Sequence, residues 1–203
     1  MAKRAPQWLT VLIGALASNT ETCGRKRRLR NAARGKTLTP VQGQFIVWVL
    51  REFIAPCAEA EAVAALWERR MAGDEPTPQE WQAAGDAARQ AAMAANAGDL
   101  GVKAVMMGRG AGLTTPMAQR SRALVEPELD PAALTIFQGE HAKAVEAAHS
   151  ADTCDTAWSA ALVHWPDAMR GVVTSAARTA ADVPWAYGQM TDKLFALLEE
   201  ASA

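Results

Sequence analysis

The chain has 203 residues, half of them hydrophobic, with 21% charged side chains and a formal net charge of -1. About 45 residues are alanine and only 6% are aromatic, and alanine is the best helix former and a poor strand former. This balance excludes a disordered polyelectrolyte, a histone-like basic protein and an all-β sandwich or barrel.

Taken in order, the first apolar run is Trp8 to Ala17, about half the roughly 20 residues that a membrane span needs. Lys3 and Arg4 before it and Ala15-Leu16-Ala17 at its end give it the outline of a signal peptide. The favoured reading is a short core helix begun by Pro6, with Leu9, Leu12, Ile13 and Leu16 on its buried side. Gly24 to Lys36 then holds seven basic residues and no acidic one, a third of the 21 Lys and Arg in the chain. Thr39-Pro40 opens the next helix, because Thr caps and Pro suits the first helical positions. Gln42 stands where a capping box wants Glu or Gln. Phe45 to Leu50, Phe53 and Ile54 are apolar nearly all round, the mark of a buried central helix, and Pro56 ends or kinks it.

Val63, Leu66, Trp67 and Met71 form an amphipathic stripe closed by Gly73. Thr77-Pro78, with Glu80 in the capping-box position, opens an alanine-rich stretch from Trp81 to Ala97, where Gly85 and the small side chains let another helix approach closely. Gly108 to Gly112 lacks the Lys-Ser/Thr of a phosphate-binding loop and reads as a joint. Thr115-Pro116, Asp130-Pro131, the Asp152–Asp155 segment, Pro166 and Pro184 mark further helix starts. The stripes that follow are Leu134, Phe137, His141, Val145, Ala148; then Trp158, Leu162, Trp165; then Val172, Val173, Ala176, Ala180. The last helix carries Trp185, Met190, Leu194, Phe195, Leu197 and Leu198. The sum is about eight or nine helices in an all-α, irregular multi-helix bundle. Thr39, Thr77, Thr115 and Thr153 recur every 38 residues, a period that helical-hairpin repeats would produce. Two lobes, 1–107 and 113–203 joined at 108–112, are one division; a single compact domain is the other.

Chemistry is sparse. Cys23, Cys57 and Cys154 are distant and odd in number, with no CxxC and no ligand-like spacing to His141, His149 or His164. They read as buried or idle thiols of a reducing, cytoplasmic compartment, with no metal and no cofactor expected. Glu140-His141 and Asp167 could exchange protons in principle, but nothing in sequence joins them, so no catalytic residue is assigned and no enzyme is expected. Seven Trp against one Tyr supply the volume that alanine omits, so most belong in the core and some could anchor a partner.

Leu66-Trp67-Glu68-Arg69-Arg70-Met71-Ala72-Gly73-Asp74, Thr77-Pro78-x-Glu80 and the paired alanines from Ala83 to Ala92 together resemble Ala- and Trp-rich helical immunity proteins of high-GC bacteria and their phages. The similarity covers roughly residues 40 to 100, with an echo near Trp158 and Trp185. It implies binding and neutralising another protein without chemistry, and it transfers no catalytic residue. Leu38-Thr39-Pro40-x-Gln42-x-x-Phe45 also looks like the opening of phage small terminase subunits, but the pattern stops there. The expectation is a non-enzymatic binding protein of inhibitor or immunity type, from a phage or mobile element, that sterically blocks a protein partner. Arg25, Lys26, Arg27, Arg28, Arg30, Arg34 and Lys36 would make the electrostatic contacts. The alternative is a nucleic-acid-binding protein using segment 25–36 for phosphates and the helical body for oligomerisation. No membrane role is expected.

Overall fold

Local start and stop signals set most of the helix boundaries. The computed structural model describes residues 5–18, 23–33, 38–110 and 131–201. Among these, all regular structure is helical: α1 (Gln7–Ser18), α2 (Cys23–Ala32), α3 (Thr39–Trp48), a π-helical turn (Val49–Phe53), α4 (Ala58–Met71), α5 (Pro78–Gly110), α6 (Pro131–Ala161), α7 (Ala168–Arg178) and α8 (Val183–Glu200). The all-α multi-helix bundle read from composition is the fold. Among the described residues no helix is long and apolar enough to cross a membrane.

Thr77 and Glu80 form the complete capping box expected of them. The Thr77 hydroxyl accepts from the Glu80 N–H at 3.2 Å, and the Glu80 carboxylate accepts from the Thr77 N–H at 2.7 Å. Gly73 ends α4 with φ +90; its N–H donates to the Arg70 carbonyl and that of Asp74 to the Arg69 carbonyl, the paired bonds of a Schellman turn. Asp182 caps α8 by accepting from the Trp185 N–H at 3.1 Å, with Pro184 in the first turn.

Two starts differ from expectation. At α3 the capping position falls on buried Leu38, with no side-chain cap, and the Gln42 amide donates instead to the Met169 sulfur on α7. Asp152–Asp155 is not a helix start but lies inside α6, where the Thr156 hydroxyl donates back to the Asp152 carbonyl at 2.8 Å. A threonine that satisfies itself within the preceding turn does not interrupt a helix. Thr153 is therefore interior while Thr77 caps, so the 38-residue spacing does not mark one repeated helix start. Thr115-Pro116 lies outside the described residues.

The chain divides into two units, one built from Met1–Ala92 with Asp152–Ala203 and the other from Met93–Ala151. Helices α5 and α6 contribute residues to each. In the first unit Leu9, Leu12, Ile13 and Leu16 of α1 are buried together with Val41, Phe45, Ile46, Val49 and Leu50 of α3 and the π turn. Val172, Val173 and Ala176 of α7 join Met190, Leu194 and Leu198 of α8 in the same core. Helix α1 packs on α7, α3 on α4 and α8, and α7 on α8. The buried Trp67 indole N–H donates to the Ala160 carbonyl at 2.9 Å and so ties α4 to the end of α6. Small residues set the spacing of α5 and α6: a Cβ on Gly85 would stand 3.4 Å from the Ala161 Cβ. In the second unit, Met93 and Val145 are exposed on the described parts of α5 and α6.

Candidate functional site: the basic helix and an aromatic row

Helix α2 carries Arg25, Lys26, Arg27, Arg28 and Arg30 within ten residues and no acid. Such a segment has little intrinsic reason to stay helical, since like charges three and four residues apart repel. Fully buried Leu29 and buried Ala33 anchor it, against α1 and α8. The cations then divide by helical face. Arg25 reaches Asp192 of α8 at 3.6 Å, and the Arg28 guanidinium lies over the Phe195 ring at 5.3 Å. Arg27 and Arg30, three residues apart, point outward, exposed and without an ion-pair partner among the described residues. Lys26 is half-buried beside them. Of the seven cations expected to act together, two are tied to α8 and three are available. Arg34 and Lys36 lie outside the described residues.

An aromatic row links the π turn to the start of α8. Trp185, in the first turn of α8, is 54% exposed and stacks on Phe53 of the π turn, with ring centroids 6.1 Å apart. Phe53 meets Trp48 at 5.3 Å, and the Lys193 ammonium sits over Trp48 at 5.7 Å. Trp185, Gln189, Asp192, Ala196 and Glu199 form the solvent face of α8. At about 1.5 Å rise per residue, Trp185 stands roughly 10 Å along the helix from Asp192, the residue that holds α2.

Trp67 and Trp81 are core residues, and Trp8, Trp48 and Trp158 are half-buried, whereas Trp165 and Trp185 are exposed. The α8 periodicity carried the signal for Trp185: with Tyr187, Met190, Thr191, Leu194 and Leu198 facing inward, position 185 falls on the opposite side. Trp165 flanks a shallow groove of about 190 Å³ walled by Trp81, Trp158 and Leu162, with Asp86 and His164 also lining it. Of the groups that could exchange protons in principle, only Asp167 has a described side chain. Asp167 is exposed just before α7, His149 and His164 are exposed, and the side chains of Glu140 and His141 lie outside the described set.

One arrangement that the sequence did not foreshadow is a meeting of thiols. The Sγ atoms of Cys57 and Cys154 and a carboxylate oxygen of Glu59 all lie within 4.8 Å of one another. Burial pushes the Cys154 thiol up to about 12, with the Cys57 and Glu59 charges acting in the same direction. The Cys57 thiol is also raised, chiefly by burial. No protein family matches the chain, and comparison with curated proteins and with solved structures gives no significant match.

Proposed function

We propose that this chain is a non-enzymatic binding protein of inhibitor or immunity type that lays its α2–α8 face on an acidic protein partner and blocks it sterically. The observation that carries this reading is an exposed Trp185 on α8, the helix whose Asp192 and Phe195 hold Arg25 and Arg28 of α2, together with Arg27 and Arg30 of α2 exposed to solvent. Trp and Arg are the side chains that most often dominate binding energy at protein interfaces. Trp185 is already oriented by Phe53, so little freedom is lost when it is covered. The resemblance to helical immunity proteins points the same way. A nucleic-acid partner is the second reading, supported by five cations and no acid in α2.

A photo-crosslinking residue at position 185 tests the reading in extract from the source cell. The captured acidic protein, purified and mixed with the chain, should form a stoichiometric complex. Trp185→Ala should weaken that complex by about 30-fold or more, as loss of a central anchor does. Arg27→Glu with Arg30→Glu should slow its association. A complex indifferent to all three changes refutes the proposal. Tight binding of a 30-mer DNA or RNA with steep salt dependence, abolished by the Arg pair, would replace it with the second reading.

A further inference from the structure

Cys57 precedes α4 in extended backbone, Glu59 lies in the first turn of that helix, and buried Cys154 approaches from α6. A disulfide would account for the sulfurs but not for the carboxylate. A thiophilic cation uses all three groups as ligands. The Cys57 sulfur already accepts the Ala60 N–H at 3.3 Å, an outer bond of the kind that orients a metal-bound ligand. Tetrahedral zinc, with Zn–S distances of about 2.3 Å, holds two sulfurs roughly 3.8 Å apart, within the 4.8 Å span observed.

We propose that Cys57, Glu59 and Cys154 form a three-ligand S2O site for a zinc(II)-class cation, with a fourth position open to water or to a ligand from outside the chain. Binding deprotonates both thiols, releases two protons to solvent and turns three converging anionic donors into a site of net charge -1. No short motif announces the site, because Cys-x-Glu and a distant Cys become neighbours only when α4 packs near α6. The inference is independent of the docking surface and survives its failure.

The test uses the full chain, reduced and metal-stripped, in a Cys23→Ser background so that the third thiol contributes nothing. Zinc competition against a chromogenic chelator should show one equivalent bound. Cobalt(II) should give a thiolate-to-metal charge-transfer band with the visible absorption of a four-coordinate ion. Cys57→Ser and Cys154→Ser should each weaken zinc by more than the roughly 10- to 100-fold lost when a group that merely orients a ligand is changed, and each should halve the charge-transfer band. Glu59→Gln should weaken binding while leaving that band, which separates ligand loss from misfolding, and circular dichroism checks the fold of every variant. Failure of the reduced chain to take up zinc overturns the proposal. So does uptake that none of the three substitutions alters, or a chain that forms a Cys57–Cys154 disulfide but binds no metal.

Discussion

Replacing Gly171 with Ala sets two effects of known size against each other. An interior helical Gly→Ala change stabilises by roughly 1 kcal/mol, because glycine loses the most backbone freedom on folding. At Gly171, on α7, the added Cβ would stand 2.9 Å from the Ser159 Cβ and closer still to its hydroxyl. Carbon atoms attract best at about 3.5–4.0 Å, so the methyl would intrude by roughly 0.6–1.1 Å on an atom one bond from the α6 backbone. Overpacking of that kind costs about 1–3 kcal/mol, which leaves Gly171→Ala destabilising by about 0–2 kcal/mol. Gly188 on α8 is the control, since a Cβ there meets nothing within 4 Å and Gly188→Ala should stabilise by about 0.5–1 kcal/mol. Urea unfolding followed by helical circular dichroism reads both, and their midpoints should move in opposite directions. Adding Ser159→Gly to Gly171→Ala should recover part of the loss as a coupling energy. Equal stabilisation by the two alanines would refute the idea that close contact sets the spacing of α6 and α7.

Three further outcomes follow from named contacts. Trp67→Phe keeps most of the ring but removes the donor to the Ala160 carbonyl, and urea unfolding should show a loss of about 1–3 kcal/mol for the orphaned acceptor. Thr77→Ala breaks the capping box of α5 and should cost about 1 kcal/mol in the same assay; no change would mean that Pro78 alone starts the helix. Glu80 is held near 2, below its ordinary 4.5, first by Arg69 and then by the Thr77 donors. Its ionised form therefore favours the folded state above about pH 4.5, and this contribution disappears as pH falls towards 2. Glu80→Gln should flatten the stability profile across that window, as followed by circular dichroism, and an unchanged acid slope would refute the assignment.

What could be read in advance was what depends on near neighbours. The Thr77 cap, the Gly73 stop, the α1 stripe and the buried centre of α3 are each fixed by residues within a few positions, and the structure realises them. Asp152–Asp155 misled because Asp and Thr are capping residues whose polar groups can also be satisfied inside a helix, as Thr156 is. The basic segment was visible as composition, but its division into tied Arg25 and Arg28 and outward Arg27 and Arg30 depends on α8, which sequence spacing cannot place beside α2. Trp185 could have been assigned to the surface from the α8 periodicity alone. The meeting of Cys57 with Cys154 could not, since no local rule brings together residues of helices so far apart in the chain.

The discontinuous first unit has a consequence for biosynthesis. Helix α1 packs on α7, whose residues lie some 160 positions later. At about 5–20 residues per second, the ribosome delivers that counterpart roughly 8–30 s after α1. Through that interval Leu9, Leu12 and Leu16 have α2 beside them but not α7 or α8, so the nascent chain invites chaperones, and truncation before α7 should leave a product prone to aggregate.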